Sequence, residues 1–510
     1  MTQTLTLDRE AALARLLQLN REAQTLGSVG AVLHWDQETM MPPKAVAARA
    51  EQLSLLAAVT HQKATLDEIG DLLETLRGPA EAGELDPVGR ANVREIRRSY
   101  ERRKKLPTEL VAELARVQSL SQEAWVKARA TSAFDEFAPW LERILDLQRQ
   151  VADRIGYTTE RYDALLDEYE PGVHASDLEP LFAKLREALV PIVRGIAAAP
   201  EPRALTGEFP VEKQRELGLS VAKAMGFDFD AGRLDISVHP FCTSFHPSDV
   251  RLTTRYSPTD VTGSLFGTMH ETGHGLYEQG LDAEHAWTPV GGTSSLGIHE
   301  SQSRLWENQV GRSRAFWSHW YPKLIATFPE ALGKVSLDDY YRAINCVKPS
   351  FIRVEADEVT YNLHILLRFE IERALFDGQL AVSDLPKTWN AKMVEYLGVE
   401  PPDDAHGVLQ DVHWSFGLFG YFPTYTLGNL YAAQLFAAAG RAMPDLDEQI
   451  ARGELLPLRE WLRVNLHQKG QLLLPPDLLK EATGESLKVE YFITYLREKF
   501  GALYGLQSTR

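Results

Sequence analysis

Apolar residues return at helical spacing along almost the whole chain, and this confines it to a mainly α-helical fold. From Leu13 to Leu19, and again from Leu53 to Leu76, they recur three or four positions apart, which a helix gathers onto one face. No internal repeat or low-complexity tract interrupts the pattern. One stretch does break it. Between Arg233 and Tyr256, the residues Leu234, Ile236, Val238, Phe241, Phe245, Val250 and Leu252 fall near a spacing of two, punctuated by Pro240, Pro247 and Ser248. That spacing predicts a small antiparallel sheet of two or three short strands. The segment 197–210, rich in Ala, Pro and Gly, reads as a loop or hinge too short to separate independent domains. Length alone, 510 residues, would suggest about three domains.

Charge excludes several partners. The 54 Lys+Arg against 71 Asp+Glu give a net charge of −17. Such a chain repels phosphate backbones and anionic bilayers, so neither nucleic acid nor a membrane is an expected partner. The basic run Arg97, Arg98, Arg102, Arg103, Lys104 and Lys105 reads as a solvated helix face ahead of a turn at Pro107. Two cysteines, Cys242 and Cys346, provide no disulfide framework and no thiolate zinc site. Cys346 has no base partner in the sequence and reads as an inert thiol. The residues Met1–Glu10 lack a basic then apolar leader pattern, and no run of about 18 uncharged apolar residues occurs. The cytoplasm is therefore the expected location. Scarce Cys and Met beside abundant Arg, Glu and Leu hint at a thermophilic source.

The chemistry lies in His270-Glu271-Thr272-Gly273-His274, inside a helical segment that ends at Gly280. Ser257 or Thr259 is the expected N-cap, and Gly280 suits the position just past the C-terminus. Histidines at i and i+4 share one helix face and can converge on a Zn²⁺ ion. Glu271, rotated by about 100°, misses the ion but reaches the attacking water, where a carboxylate serves as general base. A third ligand is expected from the next helix, which begins near Gly297 after the loop Gly291–Ser295. Both His299 and Glu300 qualify, and Glu300 would complete a His₂Glu catalytic set.

Six motifs in order then resemble those of the Taq-type thermostable metallocarboxypeptidases. They are His239-Pro240-Phe241; Asp249-Val250-Arg251-Leu252-Thr253; His270-Glu271-Thr272-Gly273-His274; His299-Glu300-Ser301-Gln302; Ile352-Arg353-Val354-Glu355-Ala356-Asp357; and Gly407-Val408-Leu409-Gln410-Asp411-Val412-His413-Trp414. The resemblance spans most of the chain. It implies one mostly α-helical, neurolysin-like domain over residues 1–510, with a deep cleft roofed by N-terminal helices up to about residue 160. It also implies release of single C-terminal residues with broad tolerance, zinc or cobalt as cofactor, and a cytoplasmic homodimer acting on peptides. Under it His270, His274 and Glu300 are the ligands and Glu271 the base.

A carboxypeptidase must hold a terminal carboxylate, and arginine does so bidentately while staying charged. Arg353 is the first candidate. Arg251 follows, with a possible part in limiting how the peptide lies. For either, the structural alternative is an ion pair with Asp249, Glu355 or Asp357. His413 and Tyr421 are candidates to stabilise the oxyanion, although the aromatic run from Trp414 to Tyr425 also reads as core. His239 could meet a substrate carbonyl. Asp357, Glu307 and Asp411 are candidates to orient the ligand histidines.

Overall fold

The computed structural model describes residues 8–196, 199–202 and 204–506. The expected absence of a leader in Met1–Leu7 falls outside the described residues, as do Ala197, Ala198 and Arg203 of the 197–210 loop. Four helices open the chain: α1 (Arg9–Thr39), α2 (Val46–Ala64), α3 (Asp67–Glu81) and α4 (Pro87–Lys105). Ala12, Leu16 and Leu19 form a stripe on α1. They meet Ile69, Leu72, Leu73, Leu76, Leu85, Val93 and Ile96 in a small core separate from the main one. The basic run on α4 is an ion-paired seam rather than a bare solvated face. Arg98 meets Asp167 at 3.1 Å, Arg102 meets Glu168 at 2.6 Å and Lys104 meets Asp67 at 2.8 Å. Solvent screens such exposed pairs, so they orient the seam more than they stabilise it.

The next two helices, α5 (Thr108–Thr131) and α6 (Phe134–Ile155), belong to the large core through Val117, Trp125, Ala128, Phe137 and Leu141. The N-terminal segment is thus divided at Leu106-Pro107. Before it, α1, α3 and α4 share the small core, and after it α5 and α6 pack into the body.

The predicted strands form where the spacing changes: β1 (Gly232–Ile236), β2 (Cys242–His246) and β3 (Asp249–Thr254). The sheet is mixed rather than purely antiparallel. Its order is β1-β3-β2, with β2 antiparallel and β1 parallel to β3. The reason is the link through Pro240, which carries the chain past the place of β3 before the β2–β3 hairpin fills it. Central β3 is buried at Val250, Leu252, Thr253 and Thr254. It packs on the helix Val261–Gly280, which carries both motif histidines. Among the described residues no helix is long and apolar enough to cross a membrane.

Candidate active site

Asp260 starts the histidine helix. Its carboxylate accepts from the backbone N–H of Thr262 at 2.8 Å and of Gly263 at 3.2 Å. The hydroxyls of Ser257 and Thr259, the expected caps, bond each other at 3.1 Å instead. Gly280 is the last helical residue, and Leu281 is the C-cap. A Cβ on Gly280 would come within 2.5 Å of the His467 ring, so glycine serves close packing there, not a left-handed turn.

The second helix, Leu296–Arg304, is capped by Ser295, whose Oγ accepts from the Ile298 N–H at 3.1 Å. The buried carboxylate of Glu170 reinforces this end. It accepts from Ser295 Oγ at 2.7 Å, Gly297 N at 2.9 Å and Tyr431 Oη at 3.2 Å. Burial pushes Glu170 up to about 7, against those hydrogen bonds. The helix then runs on as a π-helical stretch, Leu305–Val310, which contains Glu307.

Two glycines let these helices touch. A Cβ on Gly273 would lie 2.5 Å from Gln302 O, so backbone meets backbone between the histidine helix and its neighbour. A Cβ on Gly428, in the helix Pro423–Ala442, would lie 2.7 Å from Glu300 Cβ. Glu300 is therefore clamped between two helices.

The result is a convergent donor set. One ligand atom from each of His270, His274 and Glu300 lies within 4.8 Å of the other two. Glu300 Oε2 is 3.6 Å from His270 Nε2 and 3.4 Å from His274 Nε2. The outward ring nitrogens are engaged elsewhere. His270 Nδ1 meets Glu307 Oε2 at 2.9 Å. His274 Nδ1 meets His299 Nδ1 at 2.5 Å, and His299 Nε2 meets Glu278 Oε1 at 2.9 Å. Each Nε2 lone pair is thus directed toward Glu300, the arrangement a metal needs. His299, the rival ligand, sits one step behind His274. Arg304 Nε donates to Glu300 Oε1 at 2.7 Å, and its guanidinium lies 4.5 Å over the Tyr361 ring.

The electrostatics follow from this ring of carboxylates. Burial alone would lower His270, but Glu300 and the hydrogen-bonded Glu307 raise it to about 8. Burial and the adjacent His299 lower His274 to about 3. Burial raises Glu271 to about 7, although His270 pulls the other way. Glu300 overcomes its own burial through Arg304 and His270 and sits well below the usual carboxylate range.

A second cluster contains Arg353, in the short turn Arg353–Glu355. Its partner is none of the acids expected from the sequence. Asp411 Oδ1 accepts from its Nη2 at 2.8 Å and its Nε at 3.1 Å. Nη1 donates to Tyr361 Oη at 2.9 Å, and the backbone N–H to Gln410 Oε1 at 2.8 Å. Asp411 also binds Arg368, at 2.5 Å and 2.8 Å. His413 packs here, with Nε2 3.4 Å from Tyr425 Oη and Nδ1 3.9 Å from Asp411 Oδ1. Burial lowers it to about 4, opposed by Asp411 and helped by Arg353 and Arg368. Tyr421 stacks edge-on against Tyr169 at 5.1 Å and lies 5.4 Å from the His413 ring.

The family model described as "Carboxypeptidase Taq (M32) metallopeptidase" matches residues 15–500. The chain belongs to that family. It is 46% identical to "Thermostable carboxypeptidase 1" of Thermus thermophilus, over 97% of this chain and 99% of that one. It is 43% identical to "Carboxypeptidase 1" of Bacillus subtilis, over 93% and 95%. A crystal structure of the M32 carboxypeptidase from Deinococcus radiodurans R1 superposes with a TM-score of 0.94 at 42% identity, covering 97% and 100% of the two chains. The chain is thus a metallocarboxypeptidase, a peptide hydrolase.

The remaining candidates have other partners within this M32 fold. Arg251 makes two bonds to Asp249, each 2.9 Å, as the structural alternative foresaw. Its guanidinium lies 4.3 Å from the Trp35 ring of α1, which links the sheet to the N-terminal helices. His239 is exposed after β1, and its carbonyl accepts from Ser237 Oγ at 2.6 Å. Of the carboxylates considered for ligand orientation, only Glu307 touches a ligand histidine. Asp357 accepts from the N–H groups of Lys348, Val359 and Thr360. Sequence reasoning missed Glu278, Arg304, Arg368 and Glu170. Glu278 and Arg304 lie four residues beyond His274 and Glu300, so the helical rule that paired the histidines could have found them. Arg368 and Glu170 carry no local signal.

Proposed function

We propose that this metallocarboxypeptidase removes single residues from peptide C-termini with broad side-chain tolerance, using Glu271 as general base. The donor set of His270, His274 and Glu300 fits Zn²⁺, with Co²⁺ as the alternative, because two imidazoles and one carboxylate supply three ligands and leave a fourth position open. A bound divalent ion would polarise the scissile carbonyl and make water a better nucleophile.

The protein groups do the rest. Glu271 accepts a proton from the water whose oxygen attacks the carbonyl carbon. It returns that proton to the departing amine nitrogen as the C–N bond breaks. His413 is neutral at working pH and can donate an N–H to the developing oxyanion, assisted by Tyr421. Arg353 binds the terminal carboxylate. His239 and Arg251 contact the peptide upstream, beneath a roof formed by α1–α4. Cytoplasmic location, a homodimer and thermostability belong to the same reading; the word "thermostable" in the Thermus relative's name supports the last.

The observation that carries this reading is the chain of contacts between the two clusters. Glu300 holds Arg304, Arg304 stacks on Tyr361, and Tyr361 accepts from buried Arg353. A terminal carboxylate on Arg353 therefore lies a short span from the donor set. The test is an N-blocked dipeptide and its C-terminal amide, each incubated with and without chelator. Release of one free amino acid from the acid alone, abolished by chelator, is expected. Equal cleavage of the amide, or release of dipeptides from longer substrates, would replace this reading with an endopeptidase or a peptidyl-dipeptidase.

A further inference from the structure

We infer that Arg368, wholly buried and out of reach of any substrate, sets the preference for a free terminal carboxylate by occupying one side of Asp411. The inference rests on Arg353 as the terminal clamp. Arg368 lies in the helix Thr360–Phe376 and outside all six motifs. Its Nε and Nη2 both bind Asp411 Oδ2, its Nη1 donates to His364 O at 2.6 Å, and its guanidinium stacks 4.5 Å from Trp389. Arg353 has only the other oxygen, Oδ1. One carboxylate thus serves two guanidiniums.

Among the described residues no second carboxylate hydrogen-bonds either guanidinium. Burial and the two arginines hold His413 and His364 below their usual range, so both are neutral. Tyr361 and Tyr425 are uncharged phenols. Glu372, one turn on from Arg368, gives its oxygens to Tyr162, Trp414 and the Gly420 N–H and hydrogen-bonds neither guanidinium. The cluster carries one unmatched positive charge in a site where such a charge is expensive. An arriving carboxylate relieves it, and a neutral amide does not. Without Arg368, Asp411 would neutralise Arg353 by itself, and the carboxylate would find a satisfied partner. Arg368 is a positioning residue that acts through Asp411.

Two variants of the metal-loaded enzyme separate this from a merely structural network. The readout is the ratio of kcat/KM for an N-blocked dipeptide acid to that for its amide. R368M should lower the ratio by at least about tenfold, chiefly through KM for the acid. D411N keeps both positive charges and should leave the ratio unchanged or raise it. If the two variants lower it alike, the network only holds shape and the inference is overturned. An unchanged ratio in R368M overturns it too. Should R368M not fold, R368K must keep the ratio and D411N must not lower it; a fall in either is fatal. R353A is the control for the underlying reading. If R353A leaves the ratio intact, the clamp itself lies elsewhere, which is a different failure.

Discussion

Two histidines, about equally buried, are driven in opposite directions. His270 retains 19% of its side-chain exposure and His413 14%, yet the first is raised to about 8 and the second lowered to about 4. Burial disfavours the charged form of both. What differs is the company. Around His270 stand Glu271, Glu300 and Glu307; around His413 stand Arg353 and Arg368, with only Asp411 against them. The donor set is an acid-lined place suited to a cation, and the arginine cluster is suited to an anion. A carboxypeptidase needs both, one at the scissile bond and one at the chain end.

The sharpest way to break this comparison is at the base. E271Q should retain the ion and lose activity by at least roughly a hundredfold. Near-normal turnover with metal bound would remove Glu271 from the chemistry. Next comes the arginine side. R353A should cost acid substrates about 2–5 kcal/mol in kcat/KM, keep the ion, and cost amide substrates much less. Equal losses on acid and amide would make Arg353 a structural residue.

The division of labour between Glu300 and His299 provides a third measurement. E300A should lower metal occupancy strongly. H299A breaks only the His274–His299–Glu278 relay and should weaken metal affinity about 10–100-fold. Metal analysis giving the reverse order would exchange the two roles.

The smallest effect concerns Glu170. Its folded-state value, about 7, lies above that of an unfolded glutamate, so the native state holds the proton more tightly. Its contribution to stability is therefore fully present below about pH 4.5 and declines as pH rises towards 7. E170Q, which stays neutral and can still accept from Gly297 N, should flatten that decline by up to about 3 kcal/mol. Thermal melts of both proteins at pH 5 and pH 8 check the sign. A variant that loses more ground at pH 8 than at pH 5 would reverse it.

The acid-lined half of the comparison was largely legible in the sequence. Two histidines four apart, a following glutamate and a glutamate on the next helix are local signals, and helix geometry turns them into shared faces. The arginine half was legible only in pieces. Arg353 and Asp411 stood out through their motifs, but nothing local pairs residues 58 positions apart. Arg368 announces itself nowhere, because its role comes from tertiary packing beneath Asp411. The sheet was misjudged for a related reason. Alternation reveals strands but not their neighbours, so a β1 parallel to β3 read the same as an antiparallel one. Helix ends failed through close packing: Gly280 faces His467, a contact no terminal rule anticipates.

The backbone contact at Gly273 has a consequence for how the ion is held. Because the histidine helix rests directly on the chain at Gln302, and Gly428 presses on Glu300 from the far side, the spacing of the three donors belongs to the polypeptide. The ion is a tenant in a finished room, unlike the metal of a zinc finger, which assembles its own walls. Removal by chelator should leave the helical circular-dichroism spectrum intact, and reloading should be limited by diffusion and dehydration, not by folding. One methyl group on Gly273 or Gly428 would move a wall, and the frame would then disfavour every ion alike, without altering a single ligand.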